Sequence, residues 1–252
     1  MKSARVIFAL AVLFALAAPA TASAAIDFPL RGWWSFNEGR GQKVYDWSGK
    51  GNHGFLGSTP QADANDPSWT RGIFGSSALS FGGDDFVSVN DSASLEPQQL
   101  TVGAWIKASQ TPGTYRYLIA KGSQDCVAAS YGLMTGFSGG LQFYVWNGTR
   151  QLHSGFHDAS IYDGKWHHVA GTFDGTLAKL FVDGKLIGEG SSLPGTIEYN
   201  GPDGDATLGG YHGSCDLMFS GDIDEIHVWS QALPVDQIWK KWGWLLGQPN
   251  RQ

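Results

Sequence analysis

Two groups of residues carry side chains that could break bonds in a substrate. Asp222, Asp224 and Glu225 lie within four consecutive positions, and a retaining glycosidase needs two carboxylates about 5–5.5 Å apart. His167 and His168 are adjacent, and adjacent side chains of a strand point to opposite faces of its sheet. We therefore interpret the two histidines as structural and keep the carboxylates as a possible hydrolytic pair.

Elimination from a uronate polymer would require a different set of side chains. A lyase needs a cation that neutralises the uronate and a base such as tyrosine or histidine. Arg116, Lys121, Tyr144 and His157 can be assembled into such a set, although nothing in their spacing demands it. Cleavage of a polysaccharide is therefore an alternative function and not the leading one.

Aromatic residues at alternate positions favour a carbohydrate-binding surface. If Leu141, Phe143 and Val145 face the core, then Tyr144 and Trp146 point outward, and the same alternation directs Trp105 outward. A sugar site combines flat aromatic faces with a few polar groups. The alternative is that a loop covers these rings. The predicted ligand-binding residues are Trp105, Asp125, Tyr144, Trp146, Tyr211 and His212.

The two cysteines, Cys126 and Cys215, lie in polar segments rich in glycine and serine. In an oxidising compartment a lone pair of cysteines usually forms a disulfide. We predict this bond, and loop-closure entropy gives it a stabilisation of about 3–5 kcal/mol. It would also make rigid the two loops that carry Asp125, Tyr211 and His212.

The elements that position these side chains are predicted to be short strands. Strand patterns recur between glycine-rich turns, and they do not alternate with helical patterns, which favours a sandwich or a barrel. Asp183-Gly184 separates two apolar runs, and this dipeptide predicts a tight hairpin turn. One short helix is predicted after Pro234, with Trp239, Trp242 and Leu246 on one face.

The N-terminal residues have the order of a secretory signal peptide. Lys2 and Arg5 precede an apolar run from Val6 to Ala18, and small residues at positions 22–24 form a cleavage site. We predict a signal peptide over residues 1–24, one domain over residues 25–252 and an extracellular location. A membrane anchor is the alternative.

The net charge of -6 argues against some classes of partner. An acidic protein is repelled by nucleic acid and by anionic membranes. We therefore expect no nucleic-acid partner, and no other segment is apolar enough for insertion into a membrane. A neutral polymer, or an acidic one bound through a metal or a local basic pocket, remains compatible with this charge.

Five motifs occur along the chain in a characteristic order. They are residues 34–39 with 46–54, 72–81, 101–106, 166–175 with 182–184, and 219–226 with 232–233. This order resembles the laminin-G-like jelly-roll family, within the concanavalin A-like lectin/glucanase fold. The resemblance implies an all-β fold, an antiparallel two-sheet β-sandwich (jelly roll, concanavalin A-like) with a short C-terminal helix. The run 222–225 resembles the family's non-catalytic last strand and departs from the glucanase pattern.

The same resemblance implies a structural calcium ion that ties the first turn to the last strand. Calcium takes six to eight oxygen ligands, and the candidates here are Asn37, Glu38, Asp46 and Asp224. Asp224 lies between apolar neighbours, where an ionised carboxylate is costly unless it is paired. For Asp46 there is an equal alternative, in which its carboxylate caps the backbone of its own turn.

From these observations we predict a secreted, calcium-stabilised, lectin-like domain that binds a glycan or polysaccharide. The first alternative is a glycoside hydrolase or polysaccharide lyase on the same scaffold. The second is an extracellular protein-binding module, since exposed aromatic residues also serve protein interfaces. Fold alone does not decide among these functions.

Overall fold

The computed structural model describes residues 29–74, 76–123, 125–157, 159–211, 213, 215 and 217–242. The predicted signal peptide lies outside the described residues, and so does Leu246 of the predicted helix face. Within the described part of the chain, no helix is both long enough and apolar enough to cross a membrane.

Sixteen strands, one 3₁₀ turn (Ala93–Leu95) and one α-helix make up the regular structure of the described residues. In chain order the elements are β1 (Leu30–Trp34), β2 (Lys43–Val44), β3 (Gly54–Leu56), β4 (Ser68–Arg71), β5 (Ser77–Gly82), β6 (Val87–Val89), β7 (Leu100–Lys107), β8 (Tyr117–Ser123), β9 (Tyr131–Thr135), β10 (Leu141–Trp146), β11 (Gln151–His153), β12 (His167–Phe173), β13 (Ala178–Val182), β14 (Lys185–Glu189), β15 (Asp203–Leu208), β16 (Ser220–Trp229) and α1 (Val235–Trp242).

The strands form two antiparallel sheets, which confirms the predicted sandwich. Sheet A has the order β14-β13-β12-β7-β16-β5-β4, and β1 pairs with β16 beside this path. Sheet B has the order β11-β10-β9-β8-β15-β6-β3-β2. Neighbours in both sheets are often distant in sequence, so the fold closes through long-range pairings. The predicted C-terminal helix is present as α1.

The strand β16 joins the first described strand to the middle of sheet A. Trp33 pairs with His227 and Trp34 with Ile226, while the other side of β16 pairs with β7. The ladder between β16 and β7 is irregular between Asp224 and His227, and Glu225 has a φ of 53°. This β-bulge turns neighbouring carboxyl side chains away from regular strand alternation.

The core lies between the sheets and follows the predicted alternation. Val102, Ala104 and Ile106 of β7 are buried in it, and so are Leu141, Phe143 and Val145 of β10. The predicted Asp183-Gly184 turn joins β13 to β14, and both of its residues have positive φ, at 49° and 72°. A turn with two positive φ values matches the twist of the strands that it connects.

A glycine of sheet A packs directly against an aromatic ring of sheet B. A Cβ atom at Gly171 of β12 would lie 2.1 Å from Cγ of Phe143. We expect Gly171→Ala to lower the free energy of unfolding by about 1–3 kcal/mol, because the extra methyl overfills the core. Urea unfolding monitored by circular dichroism measures this change.

A double variant separates this clash from a loss of strand propensity. Phe143→Ala removes Cγ and Cδ2, two of the atoms that the new methyl would meet, so Gly171→Ala should lower the free energy of unfolding less in that background than in the wild type. If the changes in the free energy of unfolding of the two single variants simply add in the double variant, the close approach of Gly171 to Phe143 is contradicted.

Candidate functional site

Two loops joined by a disulfide cover the outer face of sheet B. The predicted bond between Cys126 and Cys215 is confirmed, with the Cα atoms 5.5 Å apart and 89 residues between them in sequence. We call the described residues of segments 125–130 and 209–218 the disulfide cover. Beneath it lies a second hydrophobic cluster, separate from the core, made of Tyr117, Ala120, Ala128, Ala129, Met134, Tyr144 and Tyr211.

Tyrosine hydroxyls attach the disulfide cover to the sheet. The hydroxyls of Tyr117 and Tyr144 are 2.7 Å apart, and the Tyr144 hydroxyl also accepts from the Ala129 N–H at 2.7 Å. The Tyr211 hydroxyl accepts from the Cys126 N–H at 3.0 Å and from the Ser123 hydroxyl at 2.9 Å. Buried polar groups are thus paired, which a water-excluded cluster requires.

This cover changes the interpretation of two predicted ligand residues. Tyr144 does point away from the core, as the strand alternation predicts, but its side chain has 0% exposure, and that of Tyr211 has 1%. Neither ring offers a free face to a sugar. The alternation of a strand sets the direction of a side chain, whereas only the loops above it decide whether that side chain meets solvent.

Trp105 also points away from the core, but it does so on the opposite sheet. It belongs to β7 of sheet A and is 2% exposed. Phe74 and His168 pack edge-on against its ring, at centroid distances of 5.9 and 5.3 Å. Trp105 and Tyr144 therefore lie on different sheets and do not line one surface, and contact of either residue with a ligand stays a prediction.

For the remaining predicted ligand residues, contact with a ligand is not tested by the structure. Asp125 is exposed beside the disulfide, and Trp146 is half-buried against the cluster under the disulfide cover. His212 lies outside the described residues. Contact of these side chains with a ligand stays a prediction.

A different set of aromatic side chains does reach solvent at one end of sheet B. Tyr115, Phe137 and Phe156 are 41%, 71% and 50% exposed. The rings of Tyr115 and Phe137 meet edge-on at 6.4 Å, and the ring of Phe156 lies 5.7 Å from that of His153. We call these four residues the aromatic strip.

Gly136 connects the two halves of the aromatic strip. It precedes Phe137 in the turn between β9 and β10, and a Cβ at this position would lie 2.3 Å from Cδ1 of Phe156. The ring of Phe156 therefore rests directly on the backbone at the end of sheet B. The strip was not predicted because Tyr115, Phe137 and Phe156 lie between strands, outside the strand alternation. The available signal was a large aromatic residue flanked by glycine and serine, as in Gly136-Phe137-Ser138.

Two carboxyl groups are buried at the bulge of β16. Asp224 is 1% exposed and Glu225 is 4% exposed. Oδ2 of Asp224 accepts from the Ile73 N–H at 3.0 Å, and Oε2 of Glu225 accepts from Nε1 of Trp33 at 2.7 Å. Burial, together with the neighbouring Glu225, raises the pKa of Asp224 to about 8, and burial raises that of Glu225 to about 7.

The predicted calcium ligands do not come together as one set. Oδ1 of Asp46 accepts from the Trp33 and Ser48 N–H groups, and Oδ2 accepts from the Ser48 hydroxyl and the Asn52 N–H, all within 2.8–2.9 Å. Oε1 of Glu38 accepts from the Tyr45 N–H at 2.9 Å. Asp46 therefore matches the alternative in which it caps its own turn.

A smaller set of oxygen donors does assemble at the bulge. Asn37, one of the predicted ligands, hydrogen-bonds through its side chain to Glu225. Asp224, another predicted ligand, directly precedes Glu225 in β16. Sequence reasoning missed Glu225, because only the bulge brings it to the same side as Asp224. Among the described residues no three His, Cys, Asp or Glu side chains form a group that could hold a metal ion. A cation here would need amide or backbone oxygens as well.

The histidine pair is split between two faces, as predicted. Nδ1 of His167 lies 2.8 Å from Oδ2 of Asp183 at the hairpin turn. His168 is buried on the outer face of sheet A, where its ring stacks on that of His227 at 5.7 Å. Burial lowers the pKa of His168 to about 4. Both contacts are those of residues that hold the fold.

Sequence comparison finds relatives for most of the described chain. A family model described as the concanavalin A-like lectin/glucanases superfamily matches residues 81–239, more than half of the chain. The adhesion G protein-coupled receptor D2 of Homo sapiens is 35% identical over 98 residues, which is 35% of this chain and 10% of the receptor. The chain thus spans a small part of that relative.

Solved structures share the fold at low identity. Domain 4 of AbnA, an extracellular GH43 arabinanase from Geobacillus stearothermophilus in complex with arabinotriose, superposes with a TM-score of 0.61 at 20% identity. That match covers 83% of this chain and 96% of the domain. The binding domain of Botulinum Neurotoxin DC in complex with SialylT gives 0.61 at 13% identity, over 86% of this chain and 51% of that one.

The disulfide cover should depend on its covalent bond. We expect Cys126→Ser combined with Cys215→Ser to lower the free energy of unfolding by about 4 kcal/mol, because the bond closes a long loop in the unfolded chain. The variant should also bind a hydrophobic dye, as the cluster around Tyr117 and Tyr144 opens. Thermal unfolding and dye fluorescence measure the two effects. An unchanged midpoint and no dye binding would show that the loops hold without the bond.

Proposed function

Because the chain belongs to the concanavalin A-like lectin/glucanases superfamily, we propose that it is a secreted, lectin-like domain that binds a polysaccharide without cleaving it. The site we propose is the aromatic strip at the end of sheet B. The disulfide between Cys126 and Cys215 supports an extracellular location, since such bonds persist in oxidising compartments.

The observation that carries this proposal is the exposure of three large aromatic side chains, of which Tyr115 and Phe137 are in ring contact and Phe156 lies against Gly136, the residue before Phe137. An exposed apolar patch on a folded domain is usually a binding surface. The rings of Tyr115, Phe137 and Phe156 offer flat faces to the C–H side of a sugar. His153 and the half-buried Arg116 lie beside them and supply polar groups for hydroxyls. The rigid strands β8, β9 and β10 hold this arrangement in place.

Burial of the candidate catalytic groups argues against hydrolysis and elimination. The side chains of Asp224 and Glu225 are almost fully inside the protein, so a glycosidic bond has no route to them. Lys121 of the lyase set is 1% exposed, and its Nζ lies 2.7 Å from Oδ1 of Asp91 and 3.0 Å from Oε1 of Glu96. Tyr144 is enclosed under the disulfide cover. A binding role needs none of these groups to reach the ligand.

We infer also that a calcium ion stabilises the domain at Asn37, Asp224 and Glu225. Two adjacent carboxyl groups are buried here with only neutral hydrogen-bond donors, and burial of paired acids is costly without a cation. The carboxyl and amide oxygens are of the type that calcium prefers. The bound ion would supply the positive charge that lets both carboxyl groups ionise. It would join the segment after β1 to strand β16.

Loss of the aromatic strip should abolish retention of the polysaccharide. We expect Phe137→Ala combined with Phe156→Ala to lose retention on an affinity gel that retards the wild type, because both rings leave the sugar face. Thermal unfolding should stay within about 0.5 kcal/mol of the wild type, as for most exposed substitutions. Leu186→Ala, an exposed apolar residue on sheet A, is the matched control.

A panel of arabinan, galactan, xylan and acidic polysaccharides decides among the functions. Retention without product supports binding. New reducing ends would indicate a hydrolase, and absorbance of an unsaturated uronate would indicate a lyase. Retention of none of them, with the fold intact, would favour the protein-binding module.

Calcium should remove the fall in stability that rising pH causes in its absence. In the presence of a chelator, the pKa values of Asp224 and Glu225 are higher in the folded protein than in the unfolded chain. The folded state therefore binds more protons. Stability should therefore fall as the pH rises from about 4 to about 8. Added calcium should remove that fall, since the ion favours the ionised carboxylates. Differential scanning calorimetry across this range measures both curves.

Two isosteric variants identify the ligands. Asp224→Asn should be insensitive to calcium, whereas Asp46→Asn should be less stable but should still respond to the ion. A calcium response that survives Asp224→Asn, or no response in the wild type, would remove the ion from this position.

A further inference from the structure

A second aromatic cluster lies at the other edge of sheet B from the aromatic strip. It consists of Lys43, Tyr45, Trp47 and His53, which we call the basic platform. Trp47 is 61% exposed and Tyr45 is 43% exposed. The edge strand β2 carries Lys43, while the strip lies near β10 and β11 at the far side of the sheet. Seven strand spacings of about 4.8 Å separate β2 from β11, roughly 34 Å in all.

The basic platform is a built surface and not a mobile loop end. The N–H of Tyr45 donates to Oε1 of Glu38 at 2.9 Å, that of Asp46 to Nδ1 of His53 at 3.0 Å, and that of Trp47 to the carbonyl of Trp33 at 2.8 Å. Three consecutive backbone donors are therefore fixed. Asp46, with both carboxylate oxygens engaged, holds the turn between the two rings. A site fixed before binding loses less entropy when the ligand arrives.

The charge that the basic platform shows to solvent is positive. Nζ of Lys43 lies over the Tyr45 ring, 4.8 Å from its centroid. Arg40, in the loop before β2, and Lys50, in the loop after it, are exposed. The acids of these two loops are turned inward: Asp46 is buried with both carboxylate oxygens hydrogen-bonded, and Oε2 of Glu38 is buried too. A local positive surface on a protein of net charge -6 selects an anionic ligand.

The remaining groups fit a saccharide. Because Nδ1 of His53 accepts a backbone N–H, the neutral ring carries its proton on Nε2, a donor for a hydroxyl. The rings of Tyr45 and Trp47 have centroids 6.4 Å apart and planes inclined at 52°. Rings inclined in this way cannot both stack on one flat sugar, but they can follow successive residues of a twisted chain.

We propose that the basic platform is a second carbohydrate site, specific for an acidic saccharide. Trp47 and Tyr45 stack on the C–H faces of two consecutive residues, and Lys43 pairs with the carboxylate or sulfate of one of them. This site is independent of the aromatic strip, and either can exist without the other.

The test uses short acidic oligosaccharides that cannot reach from one site to the other. Calorimetric titration of the full chain with trigalacturonate, sialyllactose and a chondroitin sulfate tetrasaccharide is compared with titration of the methyl ester, lactose and the desulfated sugar. We expect one acidic probe to bind, its neutral counterpart to bind about tenfold more weakly, and added salt to weaken the acidic probe alone.

Four variants assign the binding to this surface. Trp47→Ala should weaken binding of the acidic probe about tenfold, the equivalent of one lost ring contact of about 1.4 kcal/mol. Lys43→Gln should bring the acidic probe down to the affinity of its neutral counterpart. Lys185→Gln, an exposed lysine of β14 in sheet A, and Phe156→Ala in the aromatic strip should leave the acidic probe unaffected.

Each contrary result overturns the proposal. A wild type that binds none of the three acidic probes, or that binds the acidic and neutral forms equally, excludes an anionic specificity. Unchanged affinity in both Trp47→Ala and Lys43→Gln, with melting curves like that of the wild type, excludes this surface. Loss of binding of the acidic probe in Phe156→Ala alone would place the acidic ligand at the aromatic strip instead.

Discussion

The pairing of strand β16 with strand β1 is the interaction on which the rest of the structure depends. It joins the first described strand to the centre of sheet A, and the same strand pairs with β7 and β5. Its bulge at Glu225 interrupts the ladder and places two carboxyl groups in the interior. The structure therefore places two buried acids, whose pKa values are raised by burial, at the strand pairing that closes the fold.

Both outer faces of the sandwich carry large apolar side chains, and different structural elements cover these side chains on each face. On sheet A, Trp105 is covered by Phe74 and packs on His168. On sheet B, the middle of the face is covered by two loops that a disulfide joins. Covering a face removes apolar surface from water and hides residues that strand alternation points outward. Among the described residues, the exposed rings lie in the segments that adjoin β8 to β11 and in the loop after β2, outside the disulfide cover.

Two buried acidic residues play opposite roles in this protein. Asp46 is buried, but four donors satisfy its carboxylate, so its charge organises the turn that presents Tyr45 and Trp47. Asp224 is buried with two backbone donors and a second acid beside it, so its pKa is raised. The number of donors that reach each carboxylate makes this difference, because hydrogen bonds to the charged form offset the loss of water. The resemblance to a family grouped these two residues, and the hydrogen-bond geometry separates them.

The sequence by itself determined the Asp183-Gly184 hairpin, the C-terminal helix and the disulfide, because each depends on a local pattern or on the pairing of only two cysteines. Strand periodicity left a sandwich or a barrel open, and the order of the five family-like motifs implied the two-sheet architecture. It also determined which strand residues point outward, such as Tyr144 and Trp105. Only the tertiary structure decided that these rings are covered and lie on different sheets, that the carboxyl groups of Asp224 and Glu225 are both buried, and that turn residues such as Phe137 and Trp47 are exposed. Strand periodicity is a property of neighbours along the chain, whereas cover, bulges and clusters of turn residues arise from segments that meet only after the sheets have packed.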